Sequence, residues 1–253
     1  MRNGEVNYNN FGSKMIIVEY RNNKDVDIYF PKYDWIAKNN QYDNFKKGNI
    51  KCPYEPRYYS KGYLGEGKYK VKENGKHTKS YNVWYSVLQR CYDNKFKKSH
   101  PTYEGCTLCK EWLNYQNFAE WFYNNYYEIE GERIHLDKDI LVKGNKIYSP
   151  ETCIFVPQRI NSLFTKSNNS RGENVLGVCK INDKYIAQCN SFDFKNKKSK
   201  SNHLGLFINE EDAFRKYKEF KENHIKEIAN FYKNKIPSKL YNALINYSVD
   251  KID

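Results

Sequence analysis

Between Ile134 and Cys153 the chain reads IHLDKDILVKGNKIYSPETC, which gathers a histidine, two aspartates and a cysteine into one short stretch. In an extended strand side chains alternate, so His135, Asp137 and Asp139 are expected on one face. Asn161 lies in the helical stretch that follows and would pack across that face. The Asp137 carboxylate and the Asn161 amide oxygen are hard donors suited to one Mg²⁺, an ion that keeps several waters for a substrate. Such an ion neutralises charge on a scissile phosphate and its leaving oxygen, and a base beside it activates water. A second donor set is sulfur. Cys106 and Cys109 have the spacing at which two thiolates reach one tetrahedral ion, with Cys91 and Cys153 as further ligands of a structural Zn²⁺. The alternative is a set of reduced thiols buried as small hydrophobes. Cys52, Cys179 and Cys189 alternate into strand faces and are expected in the core.

The elements that must position these groups follow from pattern. Arg133–Asp139 reads as a strand, VKGNK as a hairpin turn and Cys153–Val156 as the returning strand. PQRINSLF then starts a short helix with Pro157 at its first position. Upstream, SYNVWYSVLQRCYD (80–93) carries Trp84, Leu88 and Cys91 on one helical face. EWLNYQNFAEWFYNNYY (111–127) does the same with Trp112, Tyr115, Phe118 and Phe122, all expected as core. A Lys-rich loop joins these two helices. Residues 12–30 read as two strands around a polar turn at Asn22–Lys24, and NFKKGNIKCPY adds a short element closed by Pro53. The Gly-, Lys- and Tyr-rich stretch 56–79 reads as a linker. Beyond a polar linker at 166–174, three short strands precede a helix capped by Asn209, with Ala213, Tyr217, Phe220, Ile228 and Phe231 on its packing face. A terminal helix is expected over 238–247. The fold class is α+β: a β-rich N-terminal module (1–55), a central domain (80–165) and a C-terminal module (175–253).

Charge supports a polyanionic partner. The net charge is +13, distributed as +6 over residues 1–76, +1 over 77–165 and +6 over 166–253. Two basic arms flanking a neutral middle suit nucleic acid, because each phosphate contact releases counterions. The chain is 39% hydrophobic and 17% aromatic, so a few large rings can build small cores. No segment approaches the roughly 18 apolar residues of a membrane span. The first residues lack an apolar signal core, so the expected address is the cytoplasm.

The ordered series WYSVLQRCY, GCTLCKEWLNYQNF and LDKDILVKGNKIYSPETCIFVPQRIN resembles the HNH-type proteins common in phage genomes, part of the ββα-metal (His-Me finger) nuclease class. The resemblance spans roughly 80–165. GVCKINDKYIAQCNSF with HLGLFINEEDAFRKY is similar to an Apetala-two-type DNA-binding domain, a three-stranded sheet that lies in the major groove and is backed by a helix. Such modules accompany HNH domains in homing endonucleases. The resemblance implies double-stranded DNA as partner, Mg²⁺ on Asp137 and Asn161, and cleavage at the hairpin. It also implies phosphate contacts from Lys180, Lys184, Lys195, Lys197, Lys198 and Lys200, base contacts from Gln188 and Asn190, and a groove contact from Arg171. Where the family carries Asp-His, this chain has Asp137-Lys138. A lysine of ordinary pKa, about 10.4, is protonated at neutral pH and makes a poor base. His135 stands two residues away on the metal-facing side, with Tyr148 and Asp139 as other substitutes. The leading expectation is a phage or mobile-element endonuclease acting in a bacterial host cell. A catalytically inactive DNA-binding descendant is the second. The third is a phage-encoded inhibitor of a host nucleic-acid-binding defence complex, with a host protein as partner.

Overall fold

The computed structural model describes residues 2–164, 175–193 and 198–251. The fold is mixed α+β with several small sheets. It forms two compact units: Met1–Tyr126 with Lys146–Glu151, and Tyr127–Asn145 with Thr152–Asp253. The 80–165 segment therefore contributes to both.

The first unit begins with a four-stranded antiparallel meander, β1 (Val6–Tyr8), β2 (Lys14–Asn22), β3 (Asp25–Phe30) and β4 (Trp35–Asn40). Alternation in β2 and β3 sends Met15, Ile17, Val26, Ile28 and Phe30 inward, where α1 (Tyr42–Lys46) closes the core with Tyr42 and Phe45. Cys52 is fully buried there, as expected. The two expected strands are β2 and β3; β1 and β4 add an edge on each side.

The linker stretch contains a short hairpin, β5 (Lys72–Glu73) and β6 (Lys76–His77), and isolated bridges from Tyr58 to Gly62 and from Tyr63 to Asn114. It is nonetheless anchored. Thr78 caps α2 (Lys79–Tyr92), and its hydroxyl meets Ser80 Oγ at 3.2 Å and Tyr115 OH at 3.3 Å in a buried cluster. Trp84 and Leu88 of α2 and the expected stripe of α4 (Tyr115–Asn125) are buried together, and Trp84 Nε1 donates to the Trp112 carbonyl at 2.7 Å. The Lys-rich stretch expected as loop holds a helix, α3 (Asn94–Ser99). Asp93 caps it by accepting from the amides of Lys95 and Phe96. A parallel pair, β7 (Thr107–Leu108) with β9 (Ile147–Tyr148), completes the unit.

The second unit carries β8 (Ile134–Asp137), β10 (Ile154–Pro157) and α5 (Gln158–Ser162), then β11 (Val178–Ile181), β12 (Lys184–Asp193), β13 (Lys198–Phe207), α6 (Glu210–Tyr232) and α7 (Ser238–Ile245). One core runs through all of it, joining Ile154, Val156 and Ile160 to Val178, Ala187, Ile225, Ile228 and Leu240. Asn209 caps α6, accepting from the Asp212 amide at 2.8 Å, with three acids in the first turn. Gly177 is needed where β11 meets α6. Its φ is +74°, and a Cβ there would lie 2.0 Å from the Tyr217 ring.

Four expectations are corrected. Phe231 is 46% exposed: Tyr232 takes the buried place in the last turn, and Lys235 Nζ covers the Phe231 ring at 4.9 Å. Cys179 is half-buried on the outer sheet face, because its cross-strand partner is Ile186 and not Ala187. Pro157 is the last residue of β10 and caps α5 from outside, since its ψ of 140° is not helical. VKGNK does not close a simple hairpin, because the chain first contributes β9 to the other unit before returning as β10.

Candidate functional site

The hairpin face is set by register. In the antiparallel pair His135 stands opposite Val156 and Asp137 opposite Ile154, and residues directly opposite share a face. Ile154 and Val156 share a core with Ile160 of α5, so α5 packs on the side that His135 and Asp137 occupy. Asn161 follows Ile160 and is half-buried. The strand pair brings His135 and Asp137 to one side, and Asn161 lies in the helix that packs there. Asp139 does not join them. It lies past the end of β8, exposed in the turn, because its own amide is drawn to Asp137.

Asp137 is held by that turn. Its Oδ1 accepts from the amides of Asp139 (2.7 Å) and Ile140 (2.8 Å), a local side-chain turn that aspartate favours. Burial raises its pKa above the ordinary carboxylate value, while the two amide donors oppose that rise. Lys138 is held more firmly. It is 6% exposed, and its ammonium donates to Asp139 Oδ1 at 2.6 Å and to the Asn145 carbonyl at 2.7 Å. The Asn145 amide returns a bond to the Lys138 carbonyl at 2.9 Å. Lysine at this position therefore clasps the loop as a cation, with its protons directed at acceptors. His135 is the opposite case: its Nε2 is buried and has no hydrogen-bond partner. Tyr148, the other substitute base, belongs to the first unit, where burial raises its hydroxyl far above the ordinary tyrosine value.

As donors, Asp137 and Asn161 are of the hard-oxygen type that Mg²⁺ takes. Among the described residues no group of three or more His, Cys, Asp or Glu side chains is disposed to hold a metal ion. Cys91 and Cys106 are buried in the first unit and Cys109 is half-buried there, whereas Cys153 is buried in the second. Burial pushes the Cys109 thiol up to about 11, with Glu111 adding to the rise.

The C-terminal sheet offers a different surface. Pleating in β12 turns Ala187 and Cys189 inward to α6 and turns Lys184, Ile186, Gln188 and Asn190 outward. Across the strands Gln188 faces His203 and Asn190 faces Ser201, and all four are exposed. A bulge between Ala187 and Gln188 shifts the register and keeps these polar pairs on the outer side. Lys180, Lys198 and Lys200 are exposed but fall on the other pleat, opposite Tyr185, Asp193 and Ser191. Arg171, Lys195 and Lys197 lie outside the described residues.

Two contacts without a sequence signal meet at Phe192 within this unit, one to the hairpin's helix and one to α6. The Arg159 guanidinium of α5 lies 3.9 Å from the centre of the Phe192 ring at the end of β12. The Phe192 amide donates to Nε2 of His224, a histidine of α6 that is 4% exposed. Burial lowers the His224 pKa, so the acceptor form is favoured. Among the described residues no helix is long and apolar enough to cross a membrane. Comparison with family models, with curated proteins and with solved structures returns no match.

Proposed function

We propose that this chain binds double-stranded DNA through the outer face of β11–β13, and that its HNH-like hairpin serves as scaffold without cleaving the strand. The observation that carries the proposal is the outward set Lys184, Gln188, Asn190, Ser201 and His203, exposed together on a sheet whose other face is packed on a helix. Gln and Asn amides pair with adenine edges in the major groove, and a lysine at the rim meets phosphate. Exposed Ile181 and Leu206 at one end of the face suit thymine methyl groups. The scaffold role is supported by the Lys138 clasp, which puts a buried ammonium where the resembled family has its general base.

The test is duplex binding by fluorescence anisotropy over a salt series. Affinity that falls steeply with salt, and that drops at least tenfold in Lys184→Glu/Gln188→Ala/Asn190→Ala, supports the proposal. Equal affinity for DNA in that variant sinks it, as does preference for a host protein that blocks DNA access.

One observation favours a second reading, an endonuclease with Mg²⁺ on Asp137 and Asn161 and His135 as base. Nε2 of His135 is buried without a hydrogen-bond partner, on the side of the strand pair that it shares with Asp137, within reach of a general-base role. Metal-dependent nicking lost in His135→Ala would establish it. Zinc on Cys91, Cys106, Cys109 and Cys153 is a separate proposal. One equivalent retained through gel filtration supports it, and thiols that all titrate in the chain unfolded without metal release overturn it.

A further inference from the structure

A cavity of about 480 Å³ opens on the first unit between the outer strand β4 and the segment that follows α1. Its wall carries Trp35, Lys38 and Asn40 from the strand, Asn44 from α1, and Asn49 and Lys51 from the segment beyond. Its volume falls in the range of small-molecule sites, and apolar Ala37 and Ile50 line it beside these polar side chains. The chemistry of the wall restricts what fits. Lys38 and Lys51 supply two ammonium groups, no carboxylate lines the cavity, and neither lysine forms an ion pair among the described residues. An anion is therefore favoured. Trp35 contributes an indole to the wall, half-buried and tilted against Phe30 with centroids 5.7 Å apart, which suits a planar aromatic group. Three primary amides offer paired donors and acceptors. Asn49 has one acceptor engaged by Asn10 at 3.0 Å, and Asn40 donates to the Lys38 carbonyl at 3.1 Å; the Asn44 side chain forms no hydrogen bond among the described residues.

We propose that this cavity binds one unpaired nucleotide: the base against Trp35 with its edge on the asparagine amides, and the 5′-phosphate between Lys38 and Lys51. An anion, a flat ring and an amide-like edge occur together in a nucleoside monophosphate unit. A free mononucleotide and a nucleotide within a single strand supply the same chemistry, and stacking on an aromatic ring beside basic side chains is how single strands are held without sequence reading. The site is separate from the hairpin and the C-terminal sheet. It holds whether or not the chain binds duplex or cleaves it.

The test uses the full chain, titrated with fluorescein-labelled hexadeoxyadenylate, with AMP and with inorganic phosphate. Two charge-matched variants are compared: Lys38→Glu/Lys51→Glu at the cavity, and Lys95→Glu/Lys98→Glu on the exposed α3 as control. At the cavity, hexanucleotide affinity is expected to fall at least tenfold, and in the control less than threefold. Trp35→Phe keeps a ring there, and is expected to retain binding while removing the ligand-induced quenching of tryptophan emission. Tighter binding of the hexanucleotide than of AMP identifies a strand as the source; equal binding identifies a free nucleotide. Equal losses in the two reversal variants, or phosphate binding as tightly as AMP, would overturn the proposal. Intact duplex binding in the cavity variant separates failure here from failure at the sheet.

Discussion

The hairpin and the C-terminal sheet belong to the same unit and share one core, yet they treat their polar side chains in opposite ways. In the hairpin, Asp137 binds two amides of its own turn and Lys138 clasps the loop across to Asn145. Those groups hold backbone in place. On the sheet, the packing is handled from behind by α6, and Lys184, Gln188 and Asn190 lie on the outward face, where Gln188 Nε2 donates to Cys179 Sγ at 3.3 Å. Polar side chains drawn into the backbone bonds of their own loop act structurally. A surface whose support lies behind it keeps its side chains available to a partner.

The sharpest way to break this contrast is Lys138→Met. It keeps the aliphatic stem but leaves the loop carbonyl of Asn145 without its ammonium donor. The expected loss in urea denaturation is about 2 to 3 kcal/mol, in line with orphaning a buried acceptor. Duplex affinity is expected to stay within twofold. A variant of unchanged stability would mean that the clasp is incidental. On the sheet the pattern reverses. Gln188→Ala/Asn190→Ala is expected to reduce discrimination between duplex sequences by about 1 to 3 kcal/mol per lost amide pairing. Its urea midpoint is expected to shift by less than about 0.5 kcal/mol, as for other exposed positions. Smaller still is Asp137→Asn, whose amide oxygen can accept the same two backbone bonds. A change of about 1 kcal/mol or less is expected, and a loss far above that would mean the charge itself matters.

The two regions also bias stability oppositely with pH. Burial raises the Asp137 pKa above its ordinary 3.8, so the native state holds the proton more tightly than the unfolded chain. Its contribution is complete below about 3.8 and is lost as pH rises through the raised value. His224 is lowered from 6.5 by burial, so the unfolded chain takes the proton first as pH falls. Its contribution is complete above 6.5 and is lost as pH drops toward the lowered value. Melting temperatures from pH 4 to 7 are expected to flatten at the acid end in Asp137→Asn and toward neutrality in His224→Gln. Identical pH profiles in wild type and both variants would contradict these origins.

How much was legible follows the range of the interactions involved. Strands β2 and β3, the helix faces around Trp84 and Tyr115, and the Asn209 cap depend on neighbours within a few residues, and periodicity finds them. Asp93 capping α3 was also within reach, because an aspartate opening a polar stretch is a local start signal. The Asp137 turn has a local signature as well, an aspartate followed by two amides it can accept from. What no window reveals is pairing at a distance. The parallel match of β7 with β9, the edge strands β1 and β4, and the Arg159–Phe192 contact exist only once separate segments meet. Burial of Lys138 is of the same kind: nothing in a lysine announces that Asn145 will return to meet it.

The most direct measurement incubates the purified chain with supercoiled plasmid in Mg²⁺ and in Mn²⁺, beside Asp137→Ala and His135→Ala. If the hairpin is scaffold, the plasmid is retarded, the complex dissociates as salt rises, and no open circle forms with either metal. Open circle that appears only with metal and disappears in both variants would contradict that conclusion and make the hairpin an active site.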